Sequence, residues 1–141
     1  MRHTRNWQVT VVVLASFVLA CVVISLISRA SKGYDIVRSG PSGREVYVPP
    51  DRYSDSAFIQ SVLTEAVKDA RTESPDFIKV NFYDDRSCVP VSWPMTDYEL
   101  RHWRAQYTWN ADSGDERFVF LQDQDKEDGG TQIESDIRPG Q

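Results

Sequence analysis

The chain has only 2 cysteines and 2 histidines, and none of its 21 acidic residues precedes Asp35. So few soft ligands leave no zinc-binding spacing, and thiol chemistry at Cys88 has only His3 and His102 to draw on as a base. A phosphate-cradling glycine loop, a nucleophile elbow and an EF-hand spacing are also missing. Nucleic acid is disfavoured as a partner by charge. With Arg2, Arg5 and Arg29 set aside, the 16 basic residues fall to 13 against 21 acidic ones, a net of −8 that phosphate would meet as repulsion.

What the N-terminus has instead is a long uncharged run, VTVVVLASFVLACVVISLI, over residues 9–27. As a helix it reaches roughly 28 Å, close to the hydrocarbon thickness of a bilayer. Its hydroxyls at Thr10, Ser16 and Ser25 can bond back to the helix carbonyls. The expected division is a basic leader at 1–8, a transmembrane helix at 9–28 and a joint at 29–33. Trp7, Arg5, Arg29 and Lys32 are assigned to the membrane interface.

Three other readings of this run are weighed. A run apolar all round does not suit a buried helix in so small a domain. A cleaved signal peptide has a shorter apolar stretch, about 7–15 residues. Val18-Leu19-Ala20-Cys21 approximates a lipoprotein cleavage box, but the residues after Cys21 stay apolar where a polar tether is expected. An uncleaved single-pass anchor is therefore expected, with the domain outside the cytoplasm, although Arg29, Lys32, Arg38 and Arg44 weigh the other way in a plain basic count.

Residues 34–122 read as a small α/β domain. Tyr34 and Ile36, the SGPSG turn at 39–43, and Val46 with Val48 predict a hairpin. Ser54 or Asp55 can cap a helix in which Phe58, Ile59, Val62, Leu63, Ala66, Val67 and Ala70 form one apolar stripe. FIKVNFY at 77–83 predicts a strand whose Ile78, Val80 and Phe82 face that helix. Thr96 and Glu99 stand in capping-box spacing ahead of a short second helix. Ala105, Tyr107 and Trp109, the ADSGDE turn and residues 117–122 predict a second hairpin. The expected class is α+β, in the order β-β-α-β-α-β-β with the helices packed on one face of the sheet. Residues 123–141 read as a disordered acidic tail.

The helix, the VNFYDD strand end and the AQYTWN strand resemble small α/β domains carried by uncharacterised bacterial and phage membrane-anchored proteins, over Glu45 to Asn110. The resemblance implies the fold and a cell-envelope setting, and no activity.

Two carboxylates, a guanidinium and a thiol crowd into NFYDDRSC at 81–88. Adjacent aspartates at a strand end are usually solvated turn formers, so Asp84 and Asp85 are expected to project into water, with Arg86 paired to one of them. His102 has Tyr98 and Gln106 as helical neighbours and no third group to orient it. No catalytic residue, metal ligand or cofactor is therefore expected. Binding is assigned to Pro90, Trp93 and Pro94 together with Asp84, Asp85 and Arg86, since prolines stiffen the connection and a rigid aromatic makes a good anchor. The plainer reading has Trp93 packing back over the sheet as a lid.

The expected function is a single-pass membrane-anchored binding or assembly accessory of the cell envelope, acting with the membrane and another envelope or membrane protein. The alternative is a membrane-tethered hydrolase or metal-dependent enzyme using Asp84, Asp85 or Cys88. A third class is a structural subunit whose work lies in its transmembrane helix.

Overall fold

The computed structural model describes residues 32–40, 43–73 and 76–140, with the side chains of residues 69, 72 and 73 set aside. The expected membrane helix at 9–28, with Arg5, Trp7 and Arg29, lies outside the described residues. Among those described, no helix is long and apolar enough to cross a membrane.

Strands β1 (Asp35–Ser39) and β2 (Gly43–Tyr47) form the first hairpin, closed by Gly40 N donating to Gly43 O at 2.8 Å. Their pairing shifts between Ile36 and Arg38, so the edge strand is both bulged and charged, which discourages pairing with another chain. Helix α1 (Ser56–Glu73) follows, and Asp55 Oδ1 accepts from Phe58 N at 3.0 Å, satisfying one of the unpaired first-turn donors. The helix carries the chain across to β3 (Phe77–Tyr83), which runs parallel to β2 as such a crossover requires. Strands β4 (Trp103–Asn110), β5 (Glu116–Gln122) and β6 (Thr131–Ser135) then add antiparallel. The product is a six-stranded mixed sheet in the order β1-β2-β3-β4-β5-β6, and the domain is α+β.

One face of the sheet meets α1. Val46, Ile78, Val80, Phe82, Ala105, Tyr107 and Phe118 pack there against Ile59, Val62, Leu63, Ala66, Val67 and Ala70. The period-two and period-3.6 patterns of the sequence are the two halves of this core.

Two expectations need correction. The stretch at 123–141 is not a disordered tail where it is described: β6 pairs with β5 from Phe118–Ser135 to Gln122–Thr131. Gly129 and Gly130 turn the chain with φ of 77° and 66°, and a Cβ on Gly130 would collide with the backbone of Gln122 and Asp123. Ile137, 8% exposed, then joins the core, and Gly140 N donates to Thr64 Oγ1 of α1 at 2.7 Å. Acidic composition misleads here because an edge strand draws on its neighbour's backbone ladder and needs few apolar side chains.

The second correction concerns the helices. Helix α2 (Asp97–His102) has the expected Thr96–Glu99 capping box but buries no residue, and it leans on the start of β4 and on a 3-10 turn at Arg86–Cys88. Six residues are under two turns and cannot present a long stripe, so α1, and not α2, covers the apolar face.

The opposite face is semi-polar. Glu45, Asn81 and Gln106 sit side by side across β2, β3 and β4, with Asn81 Nδ2 donating to Glu45 Oε1 at 3.1 Å and Gln106 Nε2 donating to Asn81 Oδ1 at 2.9 Å. The connection from β3 to α2 folds back over them, held where the Arg38 guanidinium donates to Pro90 O and where the Tyr83 hydroxyl meets Met95 Sδ at 3.7 Å.

Burial pushes the Glu45 carboxyl above its ordinary range, and the bonds from Asn81 and Tyr83 oppose this. A carboxyl whose pKa is raised by folding binds its proton more tightly in the folded state. Its contribution to stability therefore falls as pH rises from the ordinary carboxylate range through the folded pKa. Glu45→Gln should remove that fall, so its melting temperature relative to wild type should climb with pH across the window. Thermal melts at a series of pH values read this directly, and a flat difference would count against the burial of Glu45.

Candidate functional site

The site is built where β3 ends and β4 begins. Phe82 faces Ala105 while Tyr83 faces Trp103, so Arg104 is the extra residue of a β-bulge. Bulges re-aim side chains, and Arg104 Nε donates to Asp84 Oδ2 at 2.5 Å. His102 Nδ1 lies 2.6 Å from the other oxygen, Oδ1, and Asp84 N donates to His102 O at 3.1 Å. The Asp84 side chain is only 7% exposed. The expectation that Asp84 projects into water is therefore overturned: a buried carboxylate must be paired, and this one has two partners. His102 likewise has the orienting group that its helical neighbours alone did not offer.

Asp85 stays at the surface. Its Oδ1 accepts from Ser87 N at 2.8 Å and from Ser87 Oγ at 2.7 Å, capping the 3-10 turn, and these bonds hold its carboxyl below the ordinary range. Arg86 pairs with neither aspartate; the turn carries its guanidinium to Asp35 of β1, with Nη2 2.6 Å from Oδ2.

Cys88 closes the turn and is fully buried. Its Sγ, a carboxylate oxygen of Asp85 and a ring nitrogen of His102 all lie within 4.8 Å of one another, and no other such group of three occurs among the described residues. The Tyr98 ring stands edge-on to His102 at 5.1 Å. Burial pushes the Cys88 thiol above its ordinary range, with the Ser87 bond opposing and Asp85 reinforcing. A thiol so placed keeps its proton and is a poor nucleophile.

The rest of the connection divides. Pro90 is buried, whereas Val91, Trp93 and Pro94 are exposed, as is Tyr98 at the start of α2. Trp93 is 57% exposed even though its inner edge packs T-shaped on Trp103 at 6.4 Å, with Lys79 Nζ 5.0 Å from its ring centroid. It is half lid and half surface. Asp84 also lines a pocket of about 390 Å³, together with Tyr53, Arg104, Phe120, Leu121 and Ile133 among others. Tyr53 Oη is buried there without a hydrogen-bond partner, and burial holds its phenol protonated well above the ordinary range.

Sequence reasoning missed Tyr53 and Arg104 as members of the site, and placed Tyr98 beside His102 by helical spacing without giving it a role. The signal that finds Arg104 is the antiparallel register of β3 on β4, which brings residue 84 beside residues 102 and 104; no pattern in the sequence places Tyr53 beside Asp84.

No family model, no curated protein and no solved structure matches the chain.

Proposed function

We propose that this chain is a single-pass, membrane-tethered binding or assembly accessory of the cell envelope, with its domain outside the cytoplasm. Its partner is another envelope or membrane protein, gripped by the connection between β3 and α2. The observation that carries the reading is Trp93, a large ring left 57% exposed in a domain that buries most of its aromatic surface. Val91 on the same connection and Tyr98 in the first turn of α2 are also exposed. The mount is stiff: Pro90 is buried, Trp103 and Lys79 brace the ring, and the Thr96–Glu99 capping box fixes the far end. Rigid aromatics lose little entropy on contact, which is why they dominate binding surfaces. The tether is supported by the uncharged run at 9–27 and the envelope setting by the resemblance over Glu45 to Asn110. The acidic domain is repelled by anionic headgroups that Arg29 and Lys32 would attract.

The test is a photo-crosslinking amino acid at position 93 of the full chain in its native membrane. One discrete protein adduct is expected, lost when Val91 and Tyr98 are both changed to Ser and absent when the crosslinker stands at the exposed Asp112. Equal adducts from positions 93 and 112 would count against the surface.

A second reading, thiol hydrolysis, draws support from the 2.6 Å approach of Asp84 to His102 beside Cys88. The buried, upward-shifted thiol opposes it. In the presence of a chelator, iodoacetamide is expected to modify Cys88 only after denaturation, as read by peptide mass mapping. Rapid labelling of the native chain would favour the hydrolase.

A further inference from the structure

We propose that Asp85, Cys88 and His102 form a zinc-binding site, an inference independent of the binding surface on Trp93. The Cys88 sulfur, one carboxylate oxygen of Asp85 and one ring nitrogen of His102 already lie within 4.8 Å of one another. A tetrahedral zinc with bonds of about 2.0–2.3 Å spaces its ligands roughly 3.5 Å apart, so side-chain rotations of about 1 Å complete the set. One thiolate, one imidazole and one carboxylate make a borderline-soft donor set, suited to zinc and poorly suited to calcium or magnesium.

The fold explains why these three converge. In a 3-10 turn the side chains at i and i+3 eclipse, and Asp85 and Cys88 are the cap and the last residue of such a turn. Both Ser87 bonds fall on Asp85 Oδ1, leaving Oδ2 for an ion. His102 enters from the start of β4, and Asp84 Oδ1 takes its Nδ1 at 2.6 Å, so Nε2 is the ring atom available to a metal.

That second carboxylate is the observation that turns a cluster into a site. A metal-bound histidine characteristically donates its other ring N–H to a carboxylate or carbonyl, which fixes its tautomer and orientation. Asp84 supplies the carboxylate and is itself held by Arg104, so it acts as a positioning residue. Tyr98 stands edge-on to His102 and interacts with the Cys88 thiol.

Binding forms one metal–sulfur bond and breaks the Cys88 S–H bond. The proton leaves to solvent and nothing is oxidised. With three protein ligands the fourth position falls to water.

The experiment is a cobalt(II) titration of the full, reduced, chelator-stripped chain in detergent micelles, followed by absorbance. One cobalt per chain should bind, giving a thiolate-to-cobalt charge-transfer band and the intense visible bands of a tetrahedral site, both displaced by one zinc and untouched by calcium. Cys88→Ser should abolish the charge-transfer band and Cys21→Ser should leave it intact. Asp84→Asn, which keeps all three ligands, should weaken binding about 10–100-fold. The proposal is overturned if the wild-type chain shows no thiolate band, if the band follows Cys21, or if Asp84→Asn binds as tightly as wild type.

Discussion

A chain ended at Gln122 should lose most of its stability and much of its solubility. The deletion strips β6 from β5, leaving the unpaired backbone of Phe118 to Gln122 as a new edge. It also removes Ile137 from the core and the bond from Gly140 N to Thr64. Burial of one isoleucine is worth about 2–3 kcal/mol, and each ladder bond adds about 0.5–1.5 kcal/mol. Together these rival a large share of the roughly 5–15 kcal/mol that holds a whole domain. Urea denaturation of the full and shortened chains measures the loss. Ile137→Ala separates the core contribution, at about 2 kcal/mol or somewhat more. An unchanged urea midpoint for the shortened chain would mean that β6 contributes nothing.

Asp84→Ala should cost about 2–4 kcal/mol, far more than any change at its neighbour Asp85. Removing one partner of a buried ion pair is expensive because the others are left uncompensated, and Asp84 holds both Arg104 and His102. The value falls toward the lower end because those two side chains are 43% and 26% exposed and can recover water. A double-mutant cycle with Arg104→Ala should give a coupling of at least about 1 kcal/mol. If Asp84→Ala costs under about 1 kcal/mol, the pair behaves as a surface contact and Asp84 is not the keystone of the site.

The parts of this fold that the sequence announces are those written in neighbouring residues. FIKVNFY reads as a strand over 77–83 and is one, since alternation is a property of consecutive positions. The α1 stripe and the Thr96–Glu99 box are legible for the same reason, being patterns of three and four residues. What stays hidden depends on partners distant in the chain. Asp84 looks like a solvated turn former until β4 is laid antiparallel on β3 and the bulge at Arg104 turns a guanidinium onto it. Asp85, in the same dipeptide, does keep to the surface, so residue type alone cannot separate the two. Arg86 has two acids beside it in sequence and pairs with Asp35 on another strand instead. The exposed strand β6, set in an acidic stretch, hides because its stability comes from the ladder of β5.

Everything proposed for the end of β3 turns on Asp84 holding His102 by Nδ1, and nitrogen-15 NMR of the ring reads that atom directly. The measurement uses the chain with His3→Asn, so that one histidine remains, at a pH well above the ordinary histidine range. The proton is expected on Nδ1, donated to Asp84, with Nε2 bare. Replacement of Asp84 by Ala should collapse that preference. A proton found on Nε2, with Nδ1 bare in the wild-type setting, would contradict both the Asp84–His102 bond and the zinc site built upon it.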